Sequence, residues 1–309
     1  MLWVLGLVFL FSWLTYLVPQ LLLKFRKPQN LKLKYGASWA LVTGGSSGIG
    51  RAVVERLAGQ ELNIVIVAYP DDVFSKAIKE LQETFPNVKI VGVGLDMSSR
   101  DFMAKLIEET KAYDIQVVVN NAGFIKTGFF TDVAWRGQLA NHDVNATASA
   151  EITHHYVSEM RKKKLPGCVT FTSSPAGLMP CPFSVMYGAT KAYLTTFAQS
   201  LAPEIRSDGI DVTVVHPSPV ASRFYEGAHQ IDALVFFKST ATGPERIADT
   251  LLAAVGRSVT VDQGYYPICV KLLLRIVDVN FMADAIARFA HFMPDFKAMK
   301  KSDEGKKSQ

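Results

Sequence analysis

The sequence predicts an α/β protein built on a doubly wound parallel sheet, with an N-terminal transmembrane helix before it and C-terminal amphipathic helices after it. Three observations carry that reading. Between residues 36 and 264, short apolar runs rich in β-branched residues alternate with longer amphipathic segments, the order that covers both faces of a parallel sheet with helices. A glycine-rich loop, Thr43-Gly-Gly-Ser-Ser-Gly-Ile-Gly50, follows the first of these runs. An uncharged apolar stretch precedes them all. With 309 residues, 49% of them hydrophobic, the chain is long enough for one large domain with appendages.

Taken in order, residues 2–23 carry no charge and would span roughly 33 Å as a helix, enough for a bilayer core. No basic residue precedes the run and no small-residue cleavage site follows it, which favours a retained anchor over a cleaved signal. Lys24, Arg26 and Lys27 come next, and positive charge on that flank places the following domain in the cytosol. The expected divisions are an anchor at 1–23, a basic linker at 24–35, the sheet domain at 36–264, an apolar helical segment at 265–296 and a lysine-rich tail at 297–309. Strands are expected at 39–42, 64–67, 90–93, 117–119, 169–171 and 212–215, and helices at 51–58 and 73–81. In 268–293, Lys271, Arg275 and Asp278 mark one polar stripe, and Asp284, Arg288 and His291 mark another after a phase shift near Asn280. Such a segment either lies in a membrane interface or closes a core or homodimer surface. The terminal Lys306-Lys307-Ser308-Gln309 resembles a dilysine retrieval signal, so an endoplasmic reticulum membrane is the expected location.

The net charge of +5 is concentrated at the two ends, and no nucleic-acid-binding module accompanies it. Nucleic acid is therefore not an expected partner. Cys168, Cys181 and Cys269 are odd in number and widely spaced, and His154 and His155 are adjacent, so neither a disulfide framework nor a metal site is expected.

The chemistry concentrates in two places. Gly44, Gly48 and Gly50 let the loop after the first strand turn sharply at a helix N-terminus, where main-chain amides favour a pyrophosphate. A dinucleotide site of the Rossmann type is the reading. At the end of the second strand, Ala68 and Tyr69 stand where an acidic residue would select NAD and a basic one NADP. Without a carboxylate there, and with Ser46, Ser47 and Arg51 nearby to bond a phosphate, NADP(H) is the expected cofactor. Asp71 and Asp72 keep NAD(H) open, although they also suit a helix cap before Val73. Further along, Tyr187 and Lys191 lie four apart and share a helix face, with Ser174 thirteen residues upstream of the tyrosine. An ammonium beside a phenol favours the phenolate, which suits proton exchange with a carbonyl or alcohol oxygen.

Together these motifs resemble the short-chain dehydrogenase/reductase superfamily, over about residues 35–220. The resemblance rests on Thr43-Gly-x-x-x-Gly48-x-Gly50, Asp96, Asn120-Asn121-Ala-Gly123, Asn145, Ser174 and Tyr187-x-x-x-Lys191. It implies that Asn145, Ser174, Tyr187 and Lys191 form a catalytic tetrad: Ser174 positions the substrate oxygen, Tyr187 exchanges the proton, and Asn145 anchors a water chain from Lys191. It further implies that Lys191 holds the nicotinamide ribose. Asp96 would contact adenine, and Ile49, Asn121, Val220 and Ser222 would complete the cofactor site. The anchor and lysine tail look most like the microsomal branch of very-long-chain 3-oxoacyl-CoA reductases, 17β-hydroxysteroid dehydrogenases and 3-ketosphinganine reductases. The chain departs from the pattern at Pro217-Ser218, at Tyr69 and at Pro175, which holds Ser174 extended. Apolar residues at 177–183, Phe224-Tyr225 and 234–237 tilt the expected substrate toward a lipid or steroid. Reduction of a 3-oxoacyl-CoA is the first expectation; a steroid, retinoid or sphingoid ketone is the alternative, and a silent scaffold on the same fold is the alternative of another class.

Overall fold

A computed structural model describes residues 2–225 and 241–307. The expected strands form, each slightly longer than its apolar run: β1 (Trp39–Thr43), β2 (Asn63–Ala68), β3 (Ile90–Gly94), β4 (Ile115–Asn120), β5 (Gly167–Thr172) and β6 (Ile210–Pro217). A seventh, β7 (Thr260–Gln263), was not expected, because Thr-Val-Asp-Gln offers no apolar run. The sheet order is β3-β2-β1-β4-β5-β6-β7, and all neighbouring strands run parallel. The order reverses between β1 and β4, and a doubly wound sheet opens its ligand crevice at the strand C-termini there.

Side chains alternate across each strand, so the sheet separates two cores. On one face Val42, Ile64 and Val119 pack with Val53 and Leu57 of α3 (Gly48–Ala58), Leu81 of α4 (Asp72–Thr84) and Leu251 of α9 (Pro244–Ala254). On the other, Leu41, Val65 and Phe171 pack with Leu106 of α5 (Phe102–Thr110), Ile152 of α7 (Ala148–Lys163) and Leu194 of α8 (Val185–Ile205).

The flanks differ from the sequence reading in three ways. Residues 24–35 are no free linker: they contain α2 (Leu31–Tyr35), capped by Asn30 and closed by Gly36 at φ 61°. Leu31 and Tyr35 are buried in the core, while Lys34 and Tyr35 both bond Asp211. The two lysines of this helix are paired, Lys32 with Glu61 and Lys34 with Asp211. The segment 265–296 splits into α10 (Tyr265–Leu273) and α11 (Val279–Phe289), with Asp278 capping the second through Asn280 and Phe281 amides. Its first polar stripe points inward: Lys271 pairs with Asp262 and Arg275 bonds Ser12. The tail also folds. α12 runs from Pro294 to Lys307, because Phe296 packs on Phe129 and Phe183 and Met299 is buried. At the other end, α1 (Leu2–Lys24) is a single helix, of which Trp3–Lys24 is long and apolar enough to cross a membrane.

Candidate active site

The dinucleotide cradle forms where the loop geometry demands glycine. A Cβ on Gly50 would stand 2.2 Å from the Gly44 carbonyl oxygen and 2.5 Å from Asn121 Nδ2, so no side chain fits. Gly48 opens α3 at φ 53°, and its missing Cβ faces Ser222 at 3.2 Å, bringing the β6 exit loop against the phosphate turn. Ser47 precedes the helix without capping it through its side chain, which leaves the first amides for an anion. Gly44, Ser46, Ser47, Gly48 and Ile49 all line one cavity of about 920 Å³, together with Asp96, Asn121, Val220 and Ser222. Asn121 also braces three strand ends: its side-chain amide donates to the Thr43 carbonyl, and its oxygen accepts from Thr172 Oγ1. Asp96 accepts from the amide and hydroxyl of Ser98, which fixes its carboxylate at the cavity rim.

Two expected members do not line the cavity: Gly50, packed behind the turn against Gly44 and Asn121, and Arg51. Arg51 is held by Glu55 at 3.0 Å and by Glu80 at 2.7 Å and does not line the cavity. Glu80 comes from α4, and its approach could not be seen in a local reading of the loop. Asp71 is the α4 cap, accepting from the Phe74 amide at 2.8 Å, while Ala68 and Tyr69 line the cavity where the adenosine end belongs.

The tetrad converges. Ser174 follows β5 in extended geometry, φ −161° and ψ 152°, as Pro175 requires. Tyr187 and Lys191 share one face of α8, with Lys191 Nζ 5.6 Å from the Tyr187 ring centroid. The ammonium donates to the Thr172 carbonyl at 2.8 Å. Asn145 sits in a π-turn, Asp143–Thr147, between α6 (Trp135–His142) and α7; such bulges recur at functional sites because they re-aim a side chain out of helical register. Its amide grips both main-chain groups of Phe124 at 2.9 Å and reaches Thr190 Oγ1 at 3.3 Å.

Electrostatics differ from the expectation that the ammonium would hold the phenol low. Burial dominates both groups: it pushes the Tyr187 phenol well up, opposed by its hydrogen bond with Ser174, and pulls Lys191 down to about 8. A proton on Tyr187 and an easily lost proton on Lys191 fit donation to a carbonyl oxygen with resupply through the lysine.

Beyond these residues apolar side chains make up part of the cavity's lining. Met179, Phe183, Phe224 and Tyr266 form its walls, and the Phe224 ring lies 5.6 Å from that of Tyr187. Residues 234–237 lie outside the described residues. Sequence reasoning missed Thr172, whose role is a carbonyl and leaves no residue-type signal. It also missed Met293 and Asp295, which bring the C-terminal segment into the same wall.

The family model for short chain dehydrogenases matches residues 38–230. The chain belongs to that family. A very-long-chain 3-oxoacyl-CoA reductase-like protein of Arabidopsis thaliana is 31% identical over 235 residues, 74% of this chain and 73% of the relative. The very-long-chain 3-oxoacyl-CoA reductase of Bos taurus is 32% identical over 196 residues, but the match spans only 60% of either chain. A 17-beta-hydroxysteroid dehydrogenase type 3 of Danio rerio is 29% identical over 77% of this chain and 76% of its own length. Among solved structures, a 7beta-hydroxysteroid dehydrogenase superposes with a TM-score of 0.71 at 24% identity, covering 81% of this chain and 95% of that one. This member of the short-chain dehydrogenases is thus an oxidoreductase of CH–OH groups, and its glycine cradle fits a nicotinamide dinucleotide.

Proposed function

We propose that the protein reduces a ketone on a membrane lipid, a 3-oxoacyl-CoA first, with NADPH as cofactor. The observation that carries this reading is the apolar wall of Met179, Phe183, Phe224 and Tyr266 around a complete tetrad, in a chain that also bears an apolar anchor helix. Bound NADPH supplies the hydride. The protein's own residues do the rest: the cradle at Gly44 to Gly50 fixes the pyrophosphate, Ser174 and Tyr187 hold the ketone oxygen, and Tyr187 gives it a proton. Lys191, bonded to the Thr172 carbonyl, stands beside Tyr187 to restore that proton, and the buried Asn145 sets the wall behind it. Ala68 and Tyr69 leave room for a ribose phosphate that a carboxylate would repel. Purified full-length protein should oxidise NADPH faster than NADH with long-chain 3-oxoacyl-CoA. A panel including steroid, retinoid and sphingoid ketones tests it: turnover confined to steroids would move the substrate class, and a strong preference for NADH would refute the cofactor choice.

We further propose an endoplasmic reticulum membrane as the site, with the domain in the cytosol. Trp3, Leu7 and Phe11 of α1 are exposed, as are Phe281 and Phe289 of α11, and the Arg275–Ser12 contact ties the link between α10 and α11 to the anchor. Alkaline carbonate should leave the protein in the membrane pellet, and protease added to intact microsomes should digest the domain. Protection of the domain would place it in the lumen instead.

A further inference from the structure

Ser12, Tyr16 and Gln20 interrupt the apolar character of α1 at intervals of four, so they share one face. All three are bonded to the domain. Ser12 Oγ accepts from Arg275, the Tyr16 hydroxyl donates to Asp262 Oδ2 at 2.8 Å, and Gln20 Oε1 accepts from the Asp262 main-chain N–H at 3.1 Å. β7 is the last strand of the sheet, and α1 covers its unpaired edge.

An edge could be covered by apolar side chains alone, yet here it meets a buried polar chain that runs inward. Asp262 Oδ1 lies 2.7 Å from His216 Nδ1, and Lys271 pairs with Oδ2 at 2.9 Å. His216 Nε2 lies 2.9 Å from Thr195 Oγ1, which in turn lies 2.8 Å from Ser173 Oγ. The Ser173 hydroxyl donates to the main-chain carbonyl of Lys191 at 2.7 Å, and Thr195 Oγ1 lies 3.0 Å from the same carbonyl. Asp262, His216, Thr195, Ser173 and Lys191 are all buried. Burial holds His216 below its ordinary pKa, so the carboxylate fixes its proton on Nδ1 and Nε2 accepts from Thr195. The chain therefore ends on the main chain of two catalytic positions: Ser173 adjoins Ser174, and the accepting carbonyl belongs to Lys191.

We propose that docked α1 is part of the active enzyme and not only its tether, with Tyr16, Asp262, His216 and Thr195 acting as positioning residues that fix α8 against the end of β5. Removing a buried carboxylate's partner is costly because the charge stays buried, so loss of Tyr16 is transmitted along the chain. The inference rests on the dehydrogenase activity and not on which ketone is reduced.

The test uses full-length protein reconstituted in liposomes, with Tyr16→Phe, Thr195→Val, Thr195→Ser and, on the exposed side of α1, Leu22→Ala. Tyr16→Phe and Thr195→Val should lower kcat on the order of tenfold, since displacements of about 1 Å can cost up to ~10²-fold. KM for NADPH and 3-oxoacyl-CoA should change less than about twofold, because substrate contacts are untouched. Thr195→Ser should restore the rate, Leu22→Ala should match wild type, and every variant should remain in the membrane pellet. Wild-type kcat in Tyr16→Phe, or an equal loss in Leu22→Ala, would overturn the proposal. Amide exchange at residues 187–195, measured without substrate, should accelerate in Tyr16→Phe; unchanged protection would also overturn it. Inert wild-type protein with normal exchange coupling would instead count against the ketone assignment alone.

Discussion

Replacing Tyr187 by Phe should lower turnover by at least about 10²–10⁴-fold, the usual contribution of general acid–base catalysis, while NADPH still binds. The side chain is buried, and its ring packs 5.6 Å from Phe224, so phenylalanine keeps the packing and deletes only the hydroxyl. Burial holds the phenol protonated across the neutral range. In this site the proton is available for donation, and the Tyr187 hydroxyl is the one bonded to Ser174. Fluorescence titration with NADPH separates binding from chemistry. Near-normal turnover in the variant would show that the proton comes from elsewhere.

Lys191→Met should remove nearly all activity and at the same time abolish a gain in stability that the wild type makes as the pH rises. The ammonium is buried with one carbonyl partner, and its pKa falls from 10.5 to about 8. Between those values the unfolded chain binds more protons than the folded one, so wild-type stability rises with pH through that window. Below about 8 the burial cost is present in full. Methionine abolishes the titration, and the wild type should therefore gain thermal stability relative to Lys191→Met between pH about 8 and about 10.5. Both turnover and NADPH affinity should fall, because the same ammonium stands beside Tyr187 and at the cofactor cavity. A parallel stability profile for the two proteins would mean that Lys191 is ordinarily solvated.

Much of this was legible because it is local. Parallel strands buried on both faces need continuous β-branched residues, so six of them announced themselves. The glycines of the cradle and the Tyr187–Lys191 spacing are short-range geometry, and the crevice at the strand ends brought them together. Asp71 as a cap was likewise readable from its position before Val73. What stayed hidden depends on distant partners. Arg51 looked free until Glu80 on α4 closed on it. Residues 24–35 looked like a linker because four lysines and an arginine outweigh Leu31 and Tyr35 in composition, whereas in space those two side chains decide the packing. β7 carries Asp262, a residue that no strand pattern favours, and it becomes intelligible only with His216, Lys271 and Tyr16 around it. The directions of the two catalytic pKa values turned on burial, which spacing does not encode.

The contact of Phe296 with Phe129 and Phe183 gives the molecule a division of labour. The dinucleotide cradle is assembled mainly from residues 43 to 121, whereas Met293 and Asp295 bring the last stretch of the chain into the wall of the same cavity. Substitutions at Met293 or Asp295 should therefore alter that wall while leaving the glycine cradle in place.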